Sequence, residues 1–198
     1  MIEEELKAVV DDLAAARHRL ERAGATLAFA GRLEDRCYDR LDHELSDRDH
    51  VLRLRVYQPE NGAPRSSVDW KGETRIDGGY KQREEISSGV ADATTLATIL
   101  ERLGLRVMMA IERDIWQYDL DGAVVRFERY PRMDDLVEVE GSRDAIERAI
   151  RALALPRASF TADRLRDFVS RYEARTGKRA ALSAAELSGA VRYDHEEA

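Results

Sequence analysis

Charged and apolar side chains alternate along several short segments of this chain. Arg53 and Arg55 alternate with leucine and valine, and Glu138 and Glu140 alternate with valine. Successive side chains of a β-strand point to opposite faces, so each segment has one apolar face and one ionic face. The pattern predicts strands whose apolar face packs against helices, and it leaves an ionic face that needs its own explanation.

Turn residues and helical spacings divide the chain into predicted elements. Strands are predicted at the opening residues and at 25–40, 51–57, 66–73, 80–87, 105–120, 123–130 and 135–140. Helices are predicted at 10–23, 92–103, 142–154, 162–175 and 183–190. This order of about eight hairpin-linked strands and inserted helices favours an α+β fold, with an antiparallel sheet or barrel and helices outside it.

Composition limits the classes of function. A net charge of -7 and a pI near 5.3 argue against a general binder of nucleic acids or anionic membranes. The single cysteine, Cys37, excludes an internal disulfide and fits a reducing cytoplasm, and four scattered histidines give no zinc-site spacing. No apolar run approaches a membrane-spanning length. We therefore expect a cytoplasmic protein without nucleic-acid or membrane partners, and we leave a homodimer open as its assembly.

The charges of the ionic face are sorted by segment. Residues 3–5 and 138–140 supply carboxylates to this face, whereas residues 53–55 and residue 71 supply bases. A solvated sheet face is the ordinary explanation for mixed charges. A closed barrel would instead make the first and last strands neighbours, and four carboxylates placed together would repel each other without a divalent cation such as Mg²⁺ or Mn²⁺. The basic segments would then form a wall suited to a phosphate chain.

The set of charged positions resembles the CYTH domains, also called triphosphate tunnel metalloenzymes. That family includes class IV adenylyl cyclases, thiamine triphosphatases and inorganic triphosphatases. The resemblance spans roughly residues 2–175 and rests on several motifs taken together. These motifs are Glu3-x-Glu5-x-Lys7, Arg53-x-Arg55, Lys71 in DWKGE, Arg83-x-Glu85 and Glu138-Val139-Glu140-Gly141.

The resemblance implies an eight-stranded antiparallel tunnel that binds a triphosphate-containing small molecule with one or two Mg²⁺ or Mn²⁺ ions. The tunnel would occupy residues 1–155, and residues 156–198 would form C-terminal helices packed on it. The implied metal ligands are Glu3, Glu5, Glu128, Glu138 and Glu140. The implied triphosphate-binding residues are Lys7, Arg53, Arg55, Lys71, Arg83 and Arg113. Lys7, Glu85 and Arg113 are implied to take part in catalysis.

Glu128 stands where the family usually has an aspartate of the same charge, and two further positions depart from the family pattern in the kind of residue. Ile115 stands where a second cation is common, and Asp134 stands where a glycine is usual. Two other features allow alternative interpretations. The basic run at 164–179 is interpreted as a solvated helix face, with a lid across one tunnel mouth as the alternative. The Tyr38-Asp39 pair either helps to bind substrate or ends a strand.

The sequence therefore predicts a divalent-metal-dependent phosphohydrolase that acts on inorganic triphosphate, thiamine triphosphate or a nucleoside triphosphate. A class IV adenylyl cyclase is the alternative among enzymes, since one site supports attack by water or by a ribose 3′-hydroxyl. A non-catalytic triphosphate or nucleotide sensor is the alternative outside enzymes. The chain has no P-loop motif, and its serines lack a histidine in any arrangement typical of a triad.

Overall fold

The strands of the chain close into an eight-stranded antiparallel barrel. The computed structural model describes residues 2–195, and these residues contain nine strands and five α-helices. The strands are β1 (Ile2–Val9), β2 (Thr26–Asp39), β3 (Val51–Pro59), β4 (Arg65–Lys71), β5 (Arg75–Asp77), β6 (Tyr80–Val90), β7 (Arg106–Leu120), β8 (Ala123–Arg129) and β9 (Leu136–Gly141). The helices are α1 (Leu13–Arg22), α2 (Ala93–Arg102), α3 (Arg143–Leu153), α4 (Leu165–Thr176) and α5 (Ala184–Ser188).

Neighbouring strands follow the order β1-β9-β8-β7-β2-β3-β4-β6, and β1 also pairs with β6 to complete the ring. The predicted α+β class and the eight-stranded barrel are thus confirmed. The short strand β5 pairs with β6 outside this ring and was not predicted, because three residues carry too little periodicity. It is joined to β6 by Gly78 and Gly79, whose φ angles of 58° and 85° suit glycine in a two-residue turn.

Helix boundaries follow the capping side chains. The helix predicted from residue 10 begins instead at Leu13, because the Asp12 carboxylate accepts a hydrogen bond from the Ala15 N–H at 2.9 Å. Asp92 and Ser142 cap α2 and α3, because their side chains accept hydrogen bonds from the N–H groups of Thr95 and Ala145. Residues 193–198 are expected to fray as a chain end, and of these 196–198 lie outside the described residues.

The hydrophobic core lies outside the barrel wall, between the strands and the helices. Leu6, Val125 and Val139 alternate with charged residues along their strands, and they belong to one buried cluster with Leu20 of α1 and Ile146 of α3. Full burial of a side chain of this size contributes roughly 1.5–3 kcal/mol. Hydrophobic burial on the outer face therefore holds the ring together and leaves the inner face available for charged groups.

The strand β2 ends at Asp39. Its carboxylate accepts hydrogen bonds from the backbone N–H groups of Arg40, Leu45 and Ser46 and thereby fixes the following turn. The neighbouring Tyr38 is 2% exposed and packs in the cluster beneath α2. Of the two interpretations of this pair, the geometry favours the end of a strand.

The C-terminal segment lies at one mouth of the barrel. Lys7 of β1 exchanges two backbone hydrogen bonds with Thr161, which anchors the chain after α3. In α4, Phe168 and Val169 are buried in a cluster with Met109, which belongs to the inner face of β7. Within residues 2–195, no helix combines the length and hydropathy that a membrane crossing requires.

Candidate functional site

The barrel encloses a cavity of about 690 Å³ whose lining is ionic. All twelve side chains that the sequence singles out for the site line this cavity. Ten carboxylates and ten Lys or Arg side chains contribute to the described lining, so its formal charges balance. A charged ligand that entered alone would disturb this balance in a region partly shielded from water.

Three carboxylates form a compact cluster where the first and last strands of the ring meet. Glu5 of β1 pairs with Glu140 of β9, and one oxygen from each of Glu5, Glu138 and Glu140 lies within 4.8 Å of the others. The Lys7 ammonium lies 3.0 Å from Glu5 and also pairs with Glu138, while Arg126 lies 3.3 Å from Glu140. Several carboxylate oxygens at close range are a donor set that suits Mg²⁺ or Mn²⁺. The residues present therefore fit the implied metal.

Glu3 and Glu128, the other two carboxylates implied as metal ligands, lie outside this cluster. Burial and the charge of Glu85 raise the pKa of Glu3. Glu128 accepts hydrogen bonds from Arg113 Nε at 2.8 Å and from the Tyr130 hydroxyl at 2.6 Å. These contacts engage both oxygens of Glu128 and favour a role in holding Arg113.

The clustered carboxylates differ in their affinity for protons. Burial opposes ionisation of Glu5, but Lys7 and Lys81 outweigh it and lower the pKa of Glu5 to about 2. The pKa of Glu138 lies well below its usual range, because Lys7 and Arg126 overcome the effect of burial. The pKa of Glu140 is raised to about 8. Burial has the largest effect, the negative charge of Glu138 adds to it, and the positive charge of Arg126 opposes it. At neutral pH, the free protein therefore holds one proton in this cluster.

We predict that Mn²⁺ affinity rises with pH up to about 8 and then levels off. Glu140 is mostly protonated below its pKa of about 8, and a cation must displace that proton to bind. The slope below pH 8 should approach tenfold per pH unit. Isothermal titration calorimetry in buffers of different ionisation enthalpy would measure the released proton. Glu140→Gln should bind Mn²⁺ more weakly and without this slope; an unchanged slope in that variant would assign the proton to another group.

Apart from Lys7 of β1, the basic residues implied for triphosphate binding lie on other strands of the ring. Arg53, Arg55 and Arg113 form one group, and all three approach the carboxylate of Asp35. Lys71 forms an ion pair with Glu85. Arg83 donates to the backbone carbonyls of Gly72 and Asp49. The guanidinium and ammonium groups are thus oriented by acceptors of the protein itself.

Ile115 is fully buried on the strand that carries Arg113, and its cross-strand partner is Glu128. A cation at position 115, as is common in the CYTH domains, would lie beside that carboxylate. Arg113 bonds to Glu128 instead, so the carboxylate keeps a positive partner. Asp134, the other departure, forms a surface ion pair with Arg175 of α4 at 2.5 Å.

The basic run at 164–179 is divided between the cavity and the surface. Arg164, Leu165 and Arg166 line the cavity at the beginning of α4, and Arg164 bonds to Asp49 at 2.7 Å. Arg171 is exposed and pairs with a surface carboxylate. The first turn of α4 therefore belongs to the tunnel mouth, and the rest of the helix has the predicted solvated face.

Sequence reasoning missed several charged residues of the lining. Among them are Asp35, Asp69, Lys81, Arg126 and Arg164. Arg126 and Lys81 share strand parity with predicted site residues, so the alternation could have identified them. Asp35 lies between Glu34 and Arg36, and charges on both faces hide its orientation.

No family profile and no curated protein sequence matches this chain. Solved structures do match. A candidate adenylate cyclase from Vibrio parahaemolyticus has a TM-score of 0.72 at 16% identity, covering 86% of this chain and 98% of its own. A protein from Pyrococcus horikoshii has a TM-score of 0.69 at 20% identity, and the match covers 89% of this chain and 99% of that protein. HpAC1 from Hippeastrum is a candidate adenylyl cyclase described with a dominant triphosphatase activity. It has a TM-score of 0.60 at 13% identity, and the match covers 92% of this chain and 98% of HpAC1. The chain therefore has the α+β triphosphate-tunnel fold, the fold of the CYTH domains.

Proposed function

We propose that the protein is a divalent-metal-dependent phosphohydrolase that acts on a triphosphate. The observation that carries the proposal is the three-carboxylate cluster of Glu5, Glu138 and Glu140 in the same cavity as Arg53 and Arg55. The carboxylates suit a hard cation, and guanidinium groups suit phosphate oxygens. Both kinds of group converge on one enclosed space.

Charge balance supports a ligand that contains both a polyanion and a cation. A triphosphate carries about four negative charges, and catalysis of phosphoryl transfer consists mainly of positioning and charge neutralisation. Since the lining is already balanced, a triphosphate accompanied by divalent cations restores neutrality better than a triphosphate alone. Lys7 and Arg126 now neutralise the carboxylates, and they become available to phosphate oxygens once those carboxylates have another counter-ion.

The remaining roles follow from position. A metal bound here would neutralise phosphate charge and polarise the phosphorus–oxygen bonds. Arg53, Arg55 and Arg113 would hold phosphate oxygens. Glu85 is a carboxylate of the lining outside the metal cluster, oriented by Lys71, and we assign it to orient the attacking water.

A second candidate is an adenylyl cyclase, in which a ribose hydroxyl replaces water as the nucleophile. The lining also contains the apolar side chains of Val51, Met109, Ile111 and Leu165, which suit a ligand with an organic group. Two of the structural neighbours carry adenylyl or adenylate cyclase in their names. The same side chains would also suit an organic triphosphate that is hydrolysed.

One assay distinguishes the candidates. Purified protein is incubated with tripolyphosphate, thiamine triphosphate or ATP, in Mg²⁺ or Mn²⁺ and with chelator as control. We expect metal-dependent release of phosphate. Formation of cyclic AMP and pyrophosphate from ATP would favour the cyclase, and tight binding without turnover of any of the three would favour a sensor.

A further inference from the structure

The carboxylate of Asp35 lies among three of the arginines that line the cavity, Arg53, Arg55 and Arg113. Its Oδ1 accepts Arg55 Nε at 2.7 Å, and its Oδ2 accepts Arg55 Nη2 at 2.8 Å and Arg113 Nη1 at 3.0 Å. Arg53 Nη1 lies 3.6 Å from the same Oδ2. The side chain of Asp35 is 1% exposed. One buried carboxylate thus contacts guanidiniums from both neighbouring strands.

The other carboxylates of this group each hold a single arginine. Asp69 accepts Arg53 Nε at 3.0 Å and Nη2 at 2.9 Å, and Glu128 accepts Arg113 Nε at 2.8 Å. Arg55 has Asp35 as its bidentate partner. Removal of Asp35 would therefore release Arg55 and loosen Arg113, whereas Arg53 would keep both of its hydrogen bonds to Oδ2 of Asp69.

Bidentate pairing fixes the plane of a guanidinium as well as its position. The Asp35 contacts use Nε and Nη2 of Arg55 and Nη1 of Arg113, so a bound phosphate must meet the remaining N–H groups in directions that Asp35 sets. Both oxygens of Asp35 are already bonded to arginines, and its negative charge would repel a phosphate at close range. Its effect on phosphate must then be transmitted through the arginines.

We propose that Asp35 is the positioning residue of the site, which fixes Arg55 and Arg113 in the orientation needed for phosphoryl transfer. This inference rests on the proposed triphosphate chemistry. A group displaced by about 1 Å can reduce turnover about 100-fold. Removal of a negative charge beside the phosphates would at the same time favour binding of the polyanion. We therefore expect a loss in kcat without a corresponding rise in KM.

Two variants separate positioning from charge neutralisation. Asp35→Glu keeps the charge and moves the carboxylate by one methylene, and Asp35→Asn keeps the size and removes the charge. We expect kcat to fall at least tenfold in Asp35→Glu and about 100-fold in Asp35→Asn, with KM within threefold or lower. Asp69→Asn is the matched control, since Asp69 holds only Arg53 of the three, and its kcat should fall less than tenfold. Wild-type kcat in Asp35→Glu would overturn the proposal. A loss of kcat/KM that came entirely from a higher KM would overturn it as well.

NMR of the arginine Nε–Hε groups gives a readout that does not depend on turnover. In the free wild-type protein, the Hε proton of Arg55 should be protected from exchange, because it is buried and bonded to Asp35. We expect this protection to be lost in Asp35→Asn and retained in Asp69→Asn. Retained protection in Asp35→Asn would contradict the positioning role. If the wild-type protein hydrolyses no triphosphate while the NMR result holds, the proposed function fails and the orientation of Arg55 by Asp35 stands.

Discussion

Replacement of Glu138 by glutamine is expected to abolish metal-dependent turnover and to weaken Mn²⁺ binding by roughly 100-fold or more. Glu138 supplies one of the three clustered oxygens, and it is also a counter-ion of Lys7 and Arg126. Glutamine keeps the shape but offers a neutral oxygen, which is a poor ligand for a hard cation. Titration of Mn²⁺ by calorimetry and the phosphate-release assay would measure the two effects.

Glu84→Gln is the matched control for this change. Glu84 is exposed on the outer face of β6 and has no place in the cavity lining. We expect full Mn²⁺ affinity and full turnover in this variant. Glu138→Gln with wild-type affinity and turnover would contradict the metal assignment.

Replacement of Arg55 by alanine is expected to weaken triphosphate binding about 100-fold, the effect of one or two lost charge-assisted hydrogen bonds. Imidotriphosphate, in which nitrogen replaces the bridging oxygens, would allow binding to be measured with Mn²⁺ by calorimetry. The variant should fold, because Arg113 and Arg53 remain beside Asp35. We expect a lower free energy of unfolding, since a buried ion pair is broken.

Arg75→Ala removes the same side chain from a site outside the cavity. Arg75 lies on β5, and its side chain is 77% exposed. Its removal should leave imidotriphosphate affinity and stability unchanged. Equal affinities of the wild type and Arg55→Ala would remove Arg55 from the binding site.

Strand alternation accounts for most of what the sequence predicts correctly. Parity placed Arg53, Arg55 and Glu138 on the ionic faces of their strands, because side chains of a strand point to only two faces. In the structure those faces line the cavity. Closure brought Glu5 beside Glu140, as expected for first and last strands of a barrel. The parity within each strand depends on backbone geometry and therefore follows from local sequence, whereas the closure of the ring depends on pairing between distant strands.

Partner choice inside the cavity does not follow from parity. Glu128 shares parity with Arg126, yet it bonds to Arg113 of the neighbouring strand rather than joining the carboxylate cluster. Glu3 lies within reach of Glu85 rather than of Glu138. The register between neighbouring strands of a barrel decides which inward residues meet. Alternation within a strand does not reveal that register.

The seam between β1 and β9 has a consequence for the folding kinetics. Most neighbouring strands of the ring are close in sequence, whereas β1 pairs with β9 from near the other end of the chain. Loop-closure entropy makes such non-local pairings slow to form, so we expect this seam to close late. The three-carboxylate cluster spans the same seam, and a cation bound there would join the two strands. Occupancy of the site should therefore prolong the lifetime of the folded state by slowing its unfolding.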